Sequence, residues 1–207
     1  MMNTKKEARR ILKEKISSLS EETKKSFSNK AADFFLSTVT YKNADIILSF
    51  KSMNDEPSSE KISEQALKDG KILFLPVIEP DKPEMDFYKT DKSSSFAVNC
   101  FGTLEPLKNK SSIFLAENYK NKKIVILIPG RGFNRYGERL GRGKGYYDRY
   151  IYELQKKAGL LNISIFKAGI CFSVQMQTPF PSEAHDIKMD AVITEEEIIF
   201  SNSSIKL

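Results

Sequence analysis

The run Lys123–Ile128, KIVILI, is the feature that most constrains the fold, because it reads as a strand that is apolar on both faces. Such a strand must be covered on both sides, which is typical of parallel sheets packed between helices. Ala44–Phe50 and Lys71–Ile78 have the same character, and Ile163–Phe172 and Met189–Thr194 indicate further strands. The sequence therefore predicts several buried strands in one mostly parallel sheet.

Helical patterns alternate with these strands. Predicted helices cover residues 5–16, 20–35, 57–69 and 147–158. Gly70 and Gly159 follow two of them and are expected to end them, because glycine readily adopts the left-handed conformation that closes a helix. The polar stretch 91–109 has no clear period and is expected to be an irregular excursion or a lid. This alternation predicts an α/β fold with helices on both sides of the sheet, in a single domain over residues 1–207.

The charge of the chain favours anionic ligands without choosing among them. Lys and Arg number 33 against 27 Asp and Glu, which gives a net charge of +6 and a pI near 9.1. Nucleic acids, nucleotides, phosphates and polycarboxylates would all be attracted to such a surface. The charged start of the chain and its short apolar runs predict a cytoplasmic protein that does not bind a membrane.

Cysteine and histidine are too few to suggest a zinc site. Cys100 and Cys171 lie far apart, and His185 is the only histidine. A Cys/His zinc site needs several such ligands at close spacing, so we expect two ordinary thiols and a peripheral histidine.

A loop rich in glycine and arginine follows the strongest strand and precedes a predicted helix. It contains six of the ten glycines, namely Gly130, Gly132, Gly137, Gly141, Gly143 and Gly145. Five basic residues are interleaved with them, namely Arg131, Arg135, Arg139, Arg142 and Lys144. In an open α/β sheet, ligands bind outside the carboxyl ends of the strands. Glycine allows backbone N–H groups to approach an anion, and the following helix adds positive potential.

The physical reading of this loop is a cradle for a polyphosphate. It matches neither GxxxxGK[ST] nor GxGxxG, because Lys144 is followed by Gly145 and the last three glycines run GxGxG. The alternative, a solvated basic loop, remains open at this point. The position of the loop directly after a buried strand favours the cradle.

The segment 128–150, IPGRGFNRYGERLGRGKGYYDRY, resembles the signature of the 5-formyltetrahydrofolate cyclo-ligase family, which is close to PGxxFDxxGxRLGxGxGYYDR. One position departs from it, since Asn134 stands where the family usually has Asp. Other family elements resemble Lys5-x-x-x-Arg9, Ser52–Glu56, Leu75-Pro76, Gly102–Pro106 and 186–195. The resemblance therefore spans nearly the whole chain, and it implies a three-layer αβα domain.

The resemblance also implies an activity and its cofactors. The expected reaction converts 5-formyltetrahydrofolate to 5,10-methenyltetrahydrofolate, with ATP as co-substrate, Mg²⁺ as metal, and release of ADP and phosphate. Phosphoryl transfer of this kind needs positioning and charge neutralisation rather than a protein nucleophile. A reduced folate, also in polyglutamylated form, is the expected partner, and the chain is expected to be a monomer that binds no nucleic acid.

Residue roles follow from the matched positions. The expected ATP-binding residues are Lys5, Arg9, Arg139, Gly141, Arg142, Gly143, Lys144, Gly145 and Tyr147. Among them, Arg139 and Lys144 are expected to be catalytic, because they would neutralise charge on the transferred phosphoryl group. Met53, Glu56 and Tyr146 are expected to bind the folate, and Asp148 and Asp190 to bind the metal. Arg131 and Arg135 are expected to lie on the rim or the surface.

Two other functions remain compatible with the residues. A nucleic-acid-binding module could use the same loop, with tyrosines stacking on bases and arginines on phosphates. Another ATP-dependent ligase or kinase could use the same cradle for a different small molecule. The acids Glu56, Asp148 and Asp190 fit poorly with a plain nucleic-acid surface, which favours the cyclo-ligase.

Overall fold

The structure is a computed structural model, and it describes residues 4–79, 82, 84–99, 102–177, 183 and 186–201. In these residues the helices are α1 (Lys5–Ser17), α2 (Glu21–Ser37), α3 (Val39–Asn43), α4 (Glu60–Lys68) and α5 (Tyr146–Leu161). The strands are β1 (Ile46–Leu48), β2 (Ile72–Ile78), β3 (Met85–Lys89), β4 (Phe96–Val98), β5 (Leu104–Pro106), β6 (Lys123–Pro129), β7 (Gly132–Phe133), β8 (Arg139–Leu140), β9 (Ser164–Ile170), β10 (Ala191–Ile193) and β11 (Ile198–Phe200).

The main sheet has seven strands in the order β11-β10-β9-β6-β1-β2-β3. Its five inner strands are parallel, and the edge strands β3 and β11 run antiparallel to their neighbours. The mostly parallel sheet that the sequence predicts is therefore confirmed. β11 was not expected from the sequence, because its three apolar residues lie between three glutamates and a polar segment.

Helices cover both faces of the sheet, so the fold has three layers. Successive residues of a strand point to opposite faces. In β6, Ile124, Ile126 and Ile128 pack in the core under α5, whereas Val125 and Leu127 pack in the core under α2, α3 and α4. All five side chains are buried. This explains why the run is apolar throughout rather than at alternate positions.

Helix α1 lies outside these layers and packs on a small hairpin. Ala8 and Leu12 form a separate buried cluster with Leu140, which lies on β8. The hairpin pairs β7 with β8 and occupies the first part of the loop that is rich in glycine and arginine. That part is therefore a β-hairpin, and Arg139 is a strand residue within it.

The end of α5 differs from the prediction. Gly159 lies inside the helix, which continues to Leu161, and Asn162 closes it in the left-handed conformation at φ 51°. The backbone N–H groups of Asn162 and Ile163 both donate to the carbonyl of Ala158. Asparagine can adopt this conformation at modest cost, so Asn162 takes the role expected of Gly159.

The polar excursion 91–109 contains a second hairpin, in which β4 pairs with β5. Cys100, His185 and the proline-rich loop 178–182 lie outside the described residues. Cys171 is fully buried. No helix in the described part of the chain is both long and apolar enough to cross a membrane.

Candidate active site

A cavity lies where the carboxyl ends of the central strands meet. Phe50 follows β1, Ile78 ends β2 and Pro129 ends β6, and all three line the cavity. Its volume is about 480 Å³. This is the edge at which ligands bind in open α/β sheets, as the sequence predicted for the loop that follows β6.

Nearly all of the site residues expected from the sequence line this cavity. They are Lys5, Arg9, Met53, Glu56, Arg139, Gly141, Arg142, Gly143, Lys144, Gly145, Tyr146, Tyr147 and Asp148. They come from α1, from the segment after β1, and from the segment that runs from β8 into α5. The exception is Asp190, which does not line the cavity.

The segment from β8 into α5 gives one wall of the cavity a shape that binds anions. Gly143 and Gly145 have φ angles of 104° and 69°, which side-chain-bearing residues rarely adopt. Gly145 is the N-cap of α5 and provides no side chain to cap it. The first N–H groups of the 16-residue helix and its dipole are therefore directed at the cavity wall.

Two cations on this wall carry no carboxylate partner in the described part of the chain. Nε of Arg9 donates to the carbonyl of Gly141 at 2.8 Å, which holds α1 against the loop. Lys144 is exposed at the mouth. Unpaired positive charge beside free N–H groups favours an anionic ligand.

Arg139 is held below this wall by Asp148. Its Nη2 donates to Oδ2 of Asp148 at 2.6 Å, and its Nη1 donates to the carbonyl of Pro129 at 3.2 Å. Its Nε is buried and finds no hydrogen-bond partner among the described residues. The Arg139 side chain is 6% exposed, so its charge is balanced mainly by one carboxylate.

A second set of ion pairs joins the segment after β1 to the loop. Arg142 donates from Nε and Nη2 to Oε1 of Glu56, at 3.0 and 2.7 Å, and also contacts Asp55. Asp55 in turn pairs with Arg131. Burial raises the pKa of the Asp55 carboxyl, but hydrogen bonds from Arg142 and Arg131 outweigh burial and lower that pKa below its usual value.

Arg131 therefore does not lie on the rim or the surface as expected, since its side chain is only 14% exposed and does not line the cavity. Arg135 does, because it is exposed and pairs with Glu197. The physical reason is the hairpin. Arg131 precedes β7 on the side of Asp55, whereas Arg135 lies in the turn between β7 and β8.

Lys5 lies at the cavity with two acids that sequence reasoning missed. Its Nζ is 2.9 Å from both Glu183 and Asp186. Burial lowers the pKa of Lys5, but its hydrogen bonds to Asp186 and Glu183 outweigh burial and raise that pKa. The positive charge of Lys5 is thus already balanced, unlike that of Arg9.

A second wall of the cavity, formed by the segment after β1 and by residues of β2, β3 and β5, is largely apolar. It includes Phe50, Met53, Ile78, Met85 and Leu104. A flat heterocycle would fit between this wall and the polar loop, because ligand pockets combine apolar walls with a few directed polar groups.

The hairpin of β4 and β5 contributes Leu104 to this wall and is tied to the sheet by Glu105. Oε1 of Glu105 accepts from the backbone N–H of Ile78 at 3.1 Å and from Nδ2 of Asn99 at 2.7 Å. Glu105 belongs to the G-x-x-E-P element seen in the sequence, but no role could be assigned there. Its role requires a contact across 27 residues.

The two adjacent tyrosines differ in their surroundings. Tyr147 lies near Arg139, with 5.9 Å between the guanidinium carbon and the ring centre, and Tyr146 has the same relation to Arg149. Burial is the main cause that raises the pKa of the Tyr147 phenol, and the charge of Glu56 adds to it. Tyr147 therefore remains neutral over the physiological pH range.

The acids at this site do not form a preformed metal cage. No group of three or more His, Cys, Asp or Glu side chains within the described ranges could hold a metal ion. Asp148 accepts from Arg139 and, at 3.4 Å, from the N–H of Ile187. This arrangement fits a Mg²⁺ ion held mainly by nucleotide phosphates and water, with one protein carboxylate.

Asp190 is not brought to this site. It directly precedes β10, at the amino end of a parallel strand, whereas the cavity lies at the carboxyl ends. Its Oδ2 accepts from the backbone N–H of Lys167 at 2.7 Å, and its Oδ1 is 3.3 Å from the ammonium of Lys167. The sequence expectation that Asp190 supplies a second metal carboxylate is therefore corrected.

Asn134, which departs from the family pattern, lies in the hairpin turn rather than in the cavity. Its Oδ1 accepts from the N–H groups of Tyr136 and Glu138, both at 3.0 Å. Its Nδ2 donates to Oε2 of Glu138 at 2.6 Å. An Asp could accept the same two bonds but would face the Glu138 carboxylate, so Asn134 suits this particular turn.

Comparison with known proteins identifies the family. The model of the 5-formyltetrahydrofolate cyclo-ligase family matches residues 1–195. The 5-formyltetrahydrofolate cyclo-ligase of Mus musculus is 28% identical over 188 residues, which are 89% of this chain and 90% of that protein. A probable 5-formyltetrahydrofolate cyclo-ligase of Schizosaccharomyces pombe is 34% identical over 142 residues, which are 65% of this chain and 66% of that protein.

Solved structures give the same result. The NMR structure of the Aquifex aeolicus 5,10-methenyltetrahydrofolate synthetase has a TM-score of 0.78 and 27% identity, and the match covers 98% of this chain and 95% of that one. A 5,10-methenyltetrahydrofolate synthetase from Mycoplasma pneumoniae, at 23% identity and a TM-score of 0.67, supports the fold alone. Since the family model matches almost the entire described chain, this protein belongs to the 5-formyltetrahydrofolate cyclo-ligase family and is a ligase.

Proposed function

We propose that this chain uses ATP and Mg²⁺ to convert 5-formyltetrahydrofolate to 5,10-methenyltetrahydrofolate, with release of ADP and phosphate. The observation that carries the proposal is the two-sided cavity. One wall combines the N-terminus of α5 with Arg9 and Lys144, which pair with no carboxylate among the described residues, and the other wall is apolar and adjoins Glu56. A triphosphate suits the first wall and a pterin ring suits the second.

The chemistry of the reaction explains why such a cavity is sufficient. The oxygen of an N-formyl group is a poor leaving group. Transfer of the γ-phosphoryl group to that oxygen gives an imidate phosphate, and N10 of the same folate then attacks the activated carbon as phosphate leaves. Both steps depend on orientation and on neutralised charge, and neither needs a nucleophile from the protein.

The proposed role of each residue in nucleotide binding and phosphoryl transfer follows from its charge and position. Arg9 and Lys144 bind the triphosphate, together with the N–H groups around Gly143 and Gly145. Arg139 lies below the same wall, and its buried Nε has no hydrogen-bond partner among the described residues. It stabilises the negative charge of the transferred phosphoryl group, because a buried guanidinium acts with little screening.

The folate occupies the apolar wall. Glu56 binds the N–H edge of the pterin, and Met53 and Tyr146 pack on its ring. Asp148 is the protein carboxylate that would hold Mg²⁺. The metal, when bound, neutralises charge on the phosphates. Polyglutamylated folates are also proposed as substrates, since the net charge of +6 favours polyanions.

The test is the near-ultraviolet absorbance of the methenyl product, measured after purified protein is mixed with 5-formyltetrahydrofolate. We expect a rise that requires both ATP and Mg²⁺. No rise with a folate preparation that another cyclo-ligase converts would contradict the proposal. ATP turnover with other acceptors would then indicate a different ligase or kinase, and salt-sensitive RNA binding without turnover would indicate a nucleic-acid module.

A further inference from the structure

Both carboxylate oxygens of Glu56 already accept hydrogen bonds in this structure. Its Oε1 accepts two hydrogen bonds from Arg142, and its Oε2 accepts the backbone N–H of Met53 at 3.0 Å. The Glu56 side chain is 5% exposed. A pterin presents adjacent N–H donors to a carboxylate, much as a guanidinium does. The pterin and Arg142 therefore compete for the same carboxylate.

Arg142 has a second carboxylate partner next to the first. It contacts Asp55 as well as Glu56, and Asp55 is also bound by Arg131. The two acids are adjacent in the chain after β1. Arg142 lies between Gly141 and Gly143, on the loop that shapes the anion-binding wall. If Arg142 leaves Glu56, Asp55 still holds it beside that wall.

Displacement of Arg142 from Glu56 changes the electrostatic potential at the anion-binding wall. Asp55, Glu56, Arg131 and Arg142 form a network of zero net charge in the structure. A pterin that takes over Glu56 leaves the net charge at zero, because Glu56 keeps its charge, but it separates that charge from Arg142, so that Arg142 and Arg131 then share Asp55. The loop then offers more positive potential to an anion at the adjoining wall.

We propose that Asp55 is a positioning residue that retains Arg142 when the folate displaces it from Glu56, so that binding of the folate strengthens binding of the nucleotide. This inference rests on the proposed function, because it takes Glu56 as the pterin-binding acid. Thermodynamic linkage requires the coupling to be reciprocal, so the nucleotide strengthens folate binding by the same factor.

The experiment measures this coupling directly. Calorimetric titration with Mg²⁺ and a non-hydrolysable ATP analogue gives the dissociation constant with and without saturating 5-formyltetrahydrofolate. For the unaltered protein, we expect the folate to tighten analogue binding by about tenfold. For Asp55→Asn, which keeps the shape but removes the charge, we expect the coupling to fall below about threefold.

Glu56→Gln provides a test in the opposite direction. It weakens the hold of position 56 on Arg142 without any folate, so we expect it to bind the analogue a few-fold more tightly than the unaltered protein when no folate is present. Asp33→Asn is the matched control, because Asp33 pairs only with an exposed Lys61 in the described structure. The control should keep the full coupling.

Three results would overturn the inference: folate that binds without tightening the analogue, undiminished coupling in Asp55→Asn, or no tightening in Glu56→Gln. Thermal melting of each variant checks that it is folded, and Glu56→Gln decides the question if Asp55→Asn does not fold. A protein that binds no 5-formyltetrahydrofolate at all would instead refute the proposed function itself. The two failures are therefore distinguishable.

Discussion

Asp148→Asn should destabilise the ligand-free protein, because Asp148 is the carboxylate that balances Arg139. The Arg139 side chain is 6% exposed, and Asp148 lies 2.6 Å from its Nη2. The other contact of the guanidinium is a backbone carbonyl at 3.2 Å, and its Nε has no hydrogen bond among the described residues. Asparagine keeps the volume and an acceptor oxygen but leaves a buried charge without a counter-charge.

The size of the loss follows from this burial. Removing one partner of a fully buried ion pair typically costs about 3–5 kcal/mol. The Asp148 side chain is 19% exposed to the cavity, so water offsets part of that cost. We expect the free energy of unfolding to fall by about 2–3 kcal/mol.

Urea denaturation followed by far-ultraviolet circular dichroism measures the loss, without nucleotide, folate or metal, so that any role of Asp148 in metal binding does not contribute. Asp33→Asn is the control, because its pair with Lys61 is exposed and should contribute under about 1 kcal/mol. A loss below about 0.5 kcal/mol for Asp148→Asn, with an unchanged denaturant slope, would refute the reasoning. It would mean that water in the cavity already screens Arg139.

Three further predictions test other parts of the structure. Lys144→Ala should weaken ATP binding at least tenfold, by about 1.4 kcal/mol or more, with little change in melting temperature, because Lys144 is exposed and has no carboxylate partner among the described residues. A large fall in the melting temperature alongside the weaker binding would contradict this. Glu105→Ala should raise the KM for the folate by releasing the β4–β5 hairpin. Glu105→Gln should keep a KM near that of the unaltered protein, because a single oxygen accepts the hydrogen bonds from both Ile78 and Asn99. Similar KM values for the two variants would argue against this role of Glu105. Hydrogen bonds from the backbone N–H of Lys123 and from the side chain of Lys122 lower the pKa of Asp45, so Asp45 stabilises the folded state above its unfolded pKa of about 3.9 and loses that effect as the pH falls through its lower folded pKa. The difference in unfolding free energy between the unaltered protein and Asp45→Asn should therefore shrink in acid. A constant difference between pH 7 and pH 3 would contradict this prediction.

Local patterns in the sequence were enough to predict the layers of the fold. The continuous apolar run of β6 required a strand buried on both faces, and the structure packs Ile126 and Leu127 into opposite cores. The spacing of the glycines predicted an anion-binding turn, and Gly143 and Gly145 have the positive φ angles that such a turn needs. These features depend on neighbouring residues, so the sequence carries them directly.

Helix ends and short strands were less predictable. Gly159 and Asn162 are both able to end a helix, and the structure ends α5 at Asn162, where the N–H groups of Asn162 and Ile163 donate to the carbonyl of Ala158. The edge strand β11 forms because β10 offers it a hydrogen-bonding partner. Its three apolar residues lie between three glutamates and a polar segment, so the sequence shows no longer apolar run there.

The sequence by itself determined which side chains could bind a polyphosphate, but only the tertiary structure decided which charges are free to do so. Lys5, Arg9, Arg142 and Lys144 are equivalent cations in the sequence, yet in the described structure Lys5 is paired with Glu183 and Asp186, and Arg142 with Asp55 and Glu56. Arg142 and Glu56 are 86 residues apart, and Lys5 and Asp186 are 181 apart. Ion pairs of this kind depend on which strand ends and helix ends are close in space, and local sequence patterns do not show which distant residues become neighbours.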